Sequence, residues 1–415
     1  MKRGLFLGIC TAVALILVLG VAWLLQGKLV PTSSPKPAST SGPATGIVTP
    51  SNGTEMAVNI KIDTSGDDPP IIFTRDGNIF AVRLDGVAPV PLTNTGYNVR
   101  PYYLPQENKL LFIRTKSDRN VTGDVMGIDF SAGWQTVLLP ASRLERPEAG
   151  FVLAALSPVD GKLIVTEGDE HDGRHSLRSA SPDGKDLSLS ITGDIPAGRC
   201  AFNPEGSGLA FENKHTDVRA TLIYNLFWNK TPVPLITSGD TEKDALWAED
   251  YAWRPDDQSI AFFGYTDNTS EGPQNGIYLV TTGGQVTQIC SLPNNWASGL
   301  HWLGPDRLAF ISTPLDYGTS CAWGSSTGTM NFRVVSVPSG EPELLGFFHI
   351  QPDSGRSLIR WSWNPSRTAF VFQKEQRGSL WVKDLSTGEE KEIAGTEGSE
   401  PYDFTWGSDP FSSPH

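Results

Sequence analysis

The sequence predicts an all-β fold, a seven-bladed β-propeller, from a repeated phrase, its period and an incomplete copy at each end. The phrase is an aromatic or apolar residue, a spacer and a turn residue, followed by a short apolar strand, and it recurs about every fifty residues. This period is typical of a propeller, because one four-stranded blade cannot bury its faces alone. The full copies begin at Tyr103, Leu156, Phe202, Trp253, Trp302 and Trp363.

The two ends of the repeat region carry complementary halves of the phrase. Ile71–Phe73 has the apolar strand without the turn, and Phe404–Gly407 has the turn half without the strand. Together they make a seventh unit, which predicts a ring closed by pairing of N-terminal and C-terminal strands. Six or eight blades are the alternatives, because the copy around Leu153–Asp194 departs most from the phrase.

Each unit continues with a third strand, a turn and a fourth strand. The third strands are rich in aromatic and β-branched residues, as in Asn78–Val82 and Gly276–Val280. Gly283 and Gly284 are residues expected in a hairpin turn. Fourth strands such as Val90–Thr93 contain a proline, which fits an outer edge strand where a missing N–H costs little.

The repeats resemble those of the TolB-type family of WD-like propellers, which carry a Trp-Ser-Pro-Asp-Gly phrase followed by an apolar strand. The resemblance rests on segments such as Trp253–Pro255 and Trp363–Pro365 and covers about residues 68–410. It implies the propeller fold and leaves the function open, because propellers host many unrelated activities. TolB has an additional α/β domain ahead of its propeller, and no helix-period segment here matches that domain. TolB's partner is therefore not expected for this chain.

The N-terminus predicts a membrane anchor. Lys2 and Arg3 precede an uncharged run from Gly4 to Leu25. At about 1.5 Å per residue this run can cross the ~30 Å hydrocarbon core of a bilayer. We expect residues 1–27 to be an uncleaved signal-anchor, with a cleaved signal peptide as the alternative. With the basic residues inside, the rest of the chain would lie on the extracytoplasmic side of the cell membrane.

Composition divides the rest of the chain into three parts. Residues 28–67 are rich in Pro, Ser and Thr and have little to bury, which predicts a disordered linker. The propeller is expected at residues 68–410, followed by a tail at residues 411–415.

Net charge and cysteine number limit the partners and cross-links. The chain has 33 Lys and Arg against 46 Asp and Glu, a net charge of −13, which argues against nucleic acid as a partner. We expect no cofactor and a monomer. Cys200, Cys290 and Cys321 lie outside the anchor, so at least one is unpaired. A bridge between Cys290 and Cys321 and isolated buried thiols are the two alternatives.

Charged residues recur where the innermost strands begin, at the mouth of the predicted channel. Arginines at this mouth would form a cationic collar suited to a carboxylate, an anionic glycan or an acidic peptide. The alternative is that the charges are solvated and pair with one another. Each predicted mouth residue lies five places before the turn residue of its copy of the phrase. These residues are Arg100, Arg199, Asp250, Arg360 and Asp403.

Two loops supply further candidates. Asp169, His171 and His175 fall in a hairpin of the third unit and are candidate ligands of a divalent metal, although loops accumulate charged residues in any case. Tyr317 and Trp323 lie in a long insertion of the sixth unit, where they would contact a partner or fold back over the channel mouth. The tryptophans that recur at one place in the repeat predict packing between adjacent blades: Trp253, Trp302, Trp363 and Trp406.

The sequence thus predicts a membrane-anchored, extracytoplasmic propeller that acts as a non-enzymatic binding or assembly platform. Its expected partner is an envelope protein, a peptide or an anionic glycan, and no catalytic residue is assigned. The first alternative is a propeller enzyme, or a substrate-gating module of a peptidase or polysaccharide-degrading system. A sensor or structural element at the cell surface is the second.

Overall fold

The computed structural model describes most of the region expected to form the propeller. All described residues lie within one compact unit, residues 50–415. They are residues 55–57, 69–85, 87–94, 96–105, 107–117, 122–144, 149–157, 161–168, 175–192, 200–202, 208–214, 221–227, 233–236, 246–256, 258–266, 275–314, 329–349, 361–374 and 377–406.

These residues form an all-β structure of antiparallel sheets. Among them, 29 strands build five four-stranded sheets and one nine-stranded sheet, and the one 3₁₀ helix found there is Ala141–Arg143. We number the repeats one to seven along the chain. The strands are β1 (Glu55–Ala57); β2 (Ile71–Arg75), β3 (Asn78–Val82) and β4 (Val90–Pro91) in repeat one; β5 (Tyr97–Leu104), β6 (Lys109–Thr115), β7 (Gly123–Asp129) and β8 (Trp134–Leu139) in repeat two; β9 (Gly150–Leu156), β10 (Leu163–Gly168), β11 (His175–Ala180) and β12 (Ser188–Thr192) in repeat three; β13 (Cys200–Phe202), β14 (Gly208–Lys214), β15 (Thr221–Phe227) and β16 (Val233–Ile236) in repeat four; β17 (Leu246–Trp253), β18 (Ser259–Thr266), β19 (Gly276–Thr281) and β20 (Val286–Ser291) in repeat five; β21 (Asn295–Gly304), β22 (Arg307–Pro314), β23 (Thr329–Ser336) and β24 (Glu343–His349) in repeat six; β25 (Trp361–Trp363), β26 (Ala369–Gln373), β27 (Leu380–Asp384) and β28 (Glu390–Glu392) in repeat seven; and β29 (Ser399–Thr405).

The last strand pairs with the first repeat. The sheet of repeat one has the order β29-β2-β3-β4. Ile72 lies opposite Thr405, and Phe73 lies opposite Phe404. The two half-copies of the phrase, from opposite ends of the region, therefore contribute to one sheet.

Repeats two and three belong to the nine-stranded sheet. A single pair, Gly123 opposite Phe151, joins β7 to β9, and β1 adds to the outer side of β8. Glu55–Ala57 lies inside the segment expected to be a disordered linker, so the structure differs from the prediction there. The physical reason is that β8 is an outer strand whose backbone groups would otherwise lack partners, and β1 supplies them.

Apolar side chains from neighbouring repeats form the core. Trp302 belongs to a cluster with Ala261 and Phe263 of repeat five, and Trp363 belongs to a cluster with Ala309 and Ile311 of repeat six. Clusters that likewise join two or more repeats contain Trp253 and Trp406, and all four tryptophans are buried. The predicted packing of these tryptophans between repeats is confirmed.

Both termini of the chain lie outside the described residues. They include the predicted anchor, residues 1–27, and the predicted tail, residues 411–415. In the part of the chain that the structure describes, no helix has the length and apolar character needed to span a bilayer.

Candidate functional site

A β-bulge recurs in the first strand of several repeats, at the position predicted for the channel mouth. The ladder register shifts there in β5, β17 and β21. The backbone is left-handed at Arg100, Asp250 and Gly299, with φ of 55°, 47° and 65°. A bulge bends its strand and re-aims the side chain at that point. Arg100 and Asp250, both predicted mouth residues, thus occupy equivalent positions.

Asp250 joins repeat five to repeat six. Its side chain is buried, and its Oδ2 accepts hydrogen bonds from the backbone N–H groups of Gly299 and Leu300. Two N–H donors compensate for the removal of this carboxylate from water. The carbonyl oxygen of Gly299 accepts a hydrogen bond of 2.6 Å from Nε1 of Trp361 in repeat seven. Gly299 therefore connects three consecutive repeats.

Arg100 makes the corresponding contact between repeats two and three. Its guanidinium Nη1 donates to the carbonyl oxygen of Val152 over 2.8 Å, and the residue is half-buried. Val152 lies beside Leu153, the residue of repeat three that aligns with Arg100. At the two mouth positions whose charged side chains are described, the side chain thus bonds to the backbone of the next repeat.

Of the remaining sequence candidates, the structure describes Asp403 and His175, and these by their backbone alone. Asp403 lies in β29, within the shift in register between β29 and β2, and its side chain is not described. His175 begins β11 opposite Gly168, and its side chain is not described either. Within the described ranges no cluster of three or more His, Cys, Asp or Glu could hold a metal ion. The candidates outside the described residues are Arg199, Arg360, Asp169, His171, Tyr317 and Trp323.

An exposed apolar surface lies on β24, the outer strand of repeat six. Leu344 is 49% exposed and Phe347 is 56% exposed. Between them, Leu345 packs against the core shared with repeat seven, and Gly346 lies against Lys383 of that repeat. The ladder register shifts at Leu345, which places Leu345 and Gly346 on one face. Leu344 and Phe347 share the opposite face, which we call the β24 face.

The β24 face lies beside β23, the strand that follows the predicted partner-binding loop in the chain. In the ladder between β23 and β24, Thr329 is opposite His349 and Asn331 is opposite Phe347. The insertion that carries Tyr317 and Trp323 runs directly into Thr329. Phe347 is therefore next to the strand that leaves this insertion. The β24 face was not predicted from the sequence, although the apolar run in Glu343–His349, which contains neither Pro nor Lys, is a signal for it.

Lys383, which lies against Gly346 of β24, belongs to an ion-pair network of repeat seven. Lys383 Nζ lies 3.1 Å from Glu390 Oε1, and Lys374 Nζ lies 3.0 Å from Glu390 Oε2. Burial by itself would raise the pKa of Glu390, but hydrogen bonds from the two ammonium groups outweigh it and lower the pKa. Lys374 also lies 3.6 Å above the ring of Trp381. The side chain that Gly346 contacts is thus held in place within repeat seven.

Cys290 in β20 is a free, buried thiol. The structure therefore favours the isolated-thiol alternative for this residue over a bridge to Cys321. Burial raises the pKa of Cys290 to about 11, so the thiol is protonated and unreactive at neutral pH.

Comparison with known proteins shows the fold. No protein-family model matches the chain, and a search of curated sequences finds no match. Among solved structures, the chain is similar to the tricorn protease, with 9% identity, a TM-score of 0.58 and coverage of 86% of this chain and 36% of that one. It is also similar to an oligogalacturonate lyase in complex with manganese, with 14% identity, a TM-score of 0.52 and coverage of 81% and 86%.

TolB from Acinetobacter baumannii is a further structural neighbour, with 13% identity, a TM-score of 0.44 and coverage of 82% of this chain and 68% of that one. The chain spans about half or less of the peptidase structures it matches, 51% of a prolyl endopeptidase and 36% of the tricorn protease. At these identities the likeness to the tricorn protease and the oligogalacturonate lyase concerns the fold alone, and it supports a β-propeller fold.

Proposed function

We propose that this chain is a seven-bladed propeller, closed at the pairing of β2 with β29, that serves as a non-enzymatic docking platform for another protein. In this proposal residues 1–27 anchor it in the cell membrane as a monomer, with the propeller on the extracytoplasmic side. The seven repeats and the shared sheet of the two ends support the closed ring. The uncharged run from Gly4 to Leu25 supports the anchor.

The observation that carries the docking role is the β24 face. Large apolar side chains on an outer strand are costly to leave in water, and contiguous ones mark interaction surfaces. Leu344 and Phe347 share one face of β24, which pairs with β23, the strand that follows the segment of Tyr317 and Trp323 in the chain. Of the three partner classes expected from the sequence, an envelope protein or peptide fits an apolar surface better than an anionic glycan does.

Site-specific photo-crosslinking in the producing cells tests this proposal. A photoreactive amino acid at Phe347 should yield a discrete cross-linked adduct with another protein in the membrane fraction. The matched control places the same group at Val87, which is 60% exposed in repeat one. A protein partner at Phe347 and none at Val87 supports docking on repeat six, whereas identical adducts at both positions, or none, contradict it.

The enzyme alternative has its own test. One structural neighbour is an oligogalacturonate lyase in complex with manganese, and others are peptidases. The full chain can therefore be assayed against oligogalacturonate with added manganese and against short peptides. Turnover above that of heat-inactivated protein would favour the enzyme over the docking platform.

A further inference from the structure

We infer that β24 is a strand-docking edge, to which a partner protein adds an extended segment as a fifth strand of repeat six. This inference rests on the proposed function, because it names the way in which the partner is held. In such a mode, main-chain hydrogen bonds supply affinity and side-chain contacts supply specificity.

Other outer strands of this chain are protected against such pairing. β8 is covered by β1 over Trp134–Thr136, and the turn of repeat three at Gly184 packs on the carbonyl group of Leu138. β4 has two residues, one of them Pro91, and the three residues of β28 are all charged. Short length, proline, charge and covering segments are the usual ways of blocking an open edge.

β24 carries less protection within the described residues, where Glu343 at its first position is its one acidic residue. It has seven residues, more than any other outer strand described, and it contains neither Pro nor Lys. No described strand pairs with its outer side. β20, the outer strand of repeat five, is nearly as long, but it exposes a single large apolar residue, Val286, beside the polar Thr287 and Gln288. Among the outer strands whose side chains are described, β24 alone combines this length with two large exposed apolar side chains.

The pairing of β1 with β8 shows that an outer strand of this fold accepts a fifth strand. β1 pairs antiparallel, with Glu55 opposite Thr136 and Ala57 opposite Trp134. Trp134, like Leu344 and Phe347, is a large apolar residue that is partly exposed on an outer strand. Repeat six therefore offers the same kind of edge as repeat two, with more residues to pair.

The side chains around β24 define the chemistry of the incoming segment. Leu344 and Phe347 require apolar residues at alternate positions, which one face of an extended strand provides. Glu341 and Glu343 are exposed where β24 begins, and the chain carries a net charge of −13. We therefore assign the occupant to another protein, as an extended segment in which apolar residues alternate with Lys or Arg.

The test uses a fluorescent decapeptide in which valine alternates with lysine, added to the full chain in detergent. Two matched peptides carry N-methyl groups on the valine amides or on the lysine amides, so that each has one edge unable to donate hydrogen bonds. Strand addition predicts that at least one N-methylated peptide binds about tenfold or more weakly than the parent peptide. Binding held by side chains or net charge alone predicts equal affinity for all three.

Two protein variants locate the site. Phe347→Lys on β24 should weaken peptide binding about tenfold, whereas Val286→Lys on β20, where the valine is 40% exposed, should leave it unchanged. Thermal melting shows whether each variant is folded, and the N-methyl comparison on the wild-type chain does not depend on either variant.

The outcomes separate the two proposals. A cross-link at Phe347 together with equal binding of all three peptides would overturn strand addition and leave docking on repeat six intact. Equal loss in the Val286→Lys variant would show nonspecific attraction to an acidic protein and overturn the assignment to β24. If the full chain forms a dimer that the peptide dissociates, the occupant of β24 is a second copy of this chain, and the assignment to another protein is overturned.

Discussion

Replacing Gly299 by alanine should destabilise the fold more than any ordinary surface substitution, because this glycine joins three repeats. Its N–H donates to Asp250 of repeat five, and its carbonyl oxygen accepts from Trp361 of repeat seven. Its φ of 65° is left-handed. A Cβ atom there would overlap Nε1 of the Trp361 ring and lie 3.0 Å from Cδ1.

The left-handed backbone and the overlap with Trp361 together set how far Gly299→Ala lowers the free energy of unfolding. A left-handed backbone costs an alanine about 1–2 kcal/mol, and forcing a buried ring aside costs about 1–3 kcal/mol. The free energy of unfolding should therefore fall by about 2–5 kcal/mol. With an unfolding entropy of about 2.1 cal/mol/K per residue over residues 69–406, the melting temperature should fall by about 3–7 °C.

Differential scanning calorimetry measures this change, with Gly304→Ala in the same strand as the control. Gly304 has no left-handed φ, and the nearest atom to an added Cβ is Asp306 Oδ1 at 3.8 Å, so the control should melt within about 1 °C of the wild type. In a Trp361→Phe background, which lacks Nε1, the Gly299→Ala change should cost less. If the Gly299→Ala variant has the same melting temperature as the wild type, Gly299 does not join the repeats as described.

Three further changes follow from the same contacts. Asp250→Ala should lower the free energy of unfolding by about 1–3 kcal/mol in urea titrations, because the Gly299 N–H loses its acceptor. Asp250→Asn keeps an acceptor oxygen and should lower the free energy of unfolding by less, so equal losses in the two variants would contradict this contact. Gly184→Ala should cost about 3 kcal/mol or more, because φ is 74° and a Cβ would overlap the carbonyl group of Leu138; a wild-type melting temperature would refute the contact. Cys290 should resist iodoacetamide at pH 8 until urea unfolds the chain, and rapid labelling of the native protein would contradict its burial. Because burial raises the pKa of this thiol from 9.0 to about 11, its contribution to the free energy of unfolding should be present below pH 9.0 and lost as the pH rises to about 11.

The strand order was predictable because each repeat contains its own apolar triplets and turn residues. The apolar triplet Leu110–Phe112 lies in β6, and Asn78–Val82 is β3 with the predicted bounds. Ile71–Phe73 and Phe404 lie in one sheet, as the two half-copies of the phrase indicated. Alternating burial and turn chemistry are properties of a few neighbouring residues, so the sequence displays them directly.

The role of the mouth residues was not predictable in the same way. Arg100 and Asp250 align at one position of the repeat, where their charge predicts side chains that face a ligand or water. The structure shows a left-handed bulge at that position and backbone partners about fifty residues away, at Val152 and Gly299. Arg and Asp seldom adopt this conformation, so the sequence carries little signal for it.

β1 and the β24 face were also not predictable, because both depend on pairing between residues that are far apart in the sequence. Glu55–Ala57 is too short and too mixed to show a strand period, and its partner β8 lies far along the chain. The apolar residues of Glu343–His349 fit an ordinary buried strand. Which of them face water depends on a register shift and on the distance to the next repeat, and neither is a local property.

The closed ring of repeats is tested most directly by a disulfide across the pairing of β2 and β29. Ile72 and Thr405 are directly opposite each other, so their Cα atoms should lie about 4.5–5.5 Å apart, within the range that a disulfide spans. The variant with Ile72→Cys and Thr405→Cys should form this bond during oxidative folding, as shown by mass spectrometry of an unreduced digest. The pair Ile72→Cys and Ser362→Cys, with Ser362 in repeat seven, should not. If both introduced thiols of the first variant stay free in a folded chain that melts like the wild type, the closed ring is contradicted.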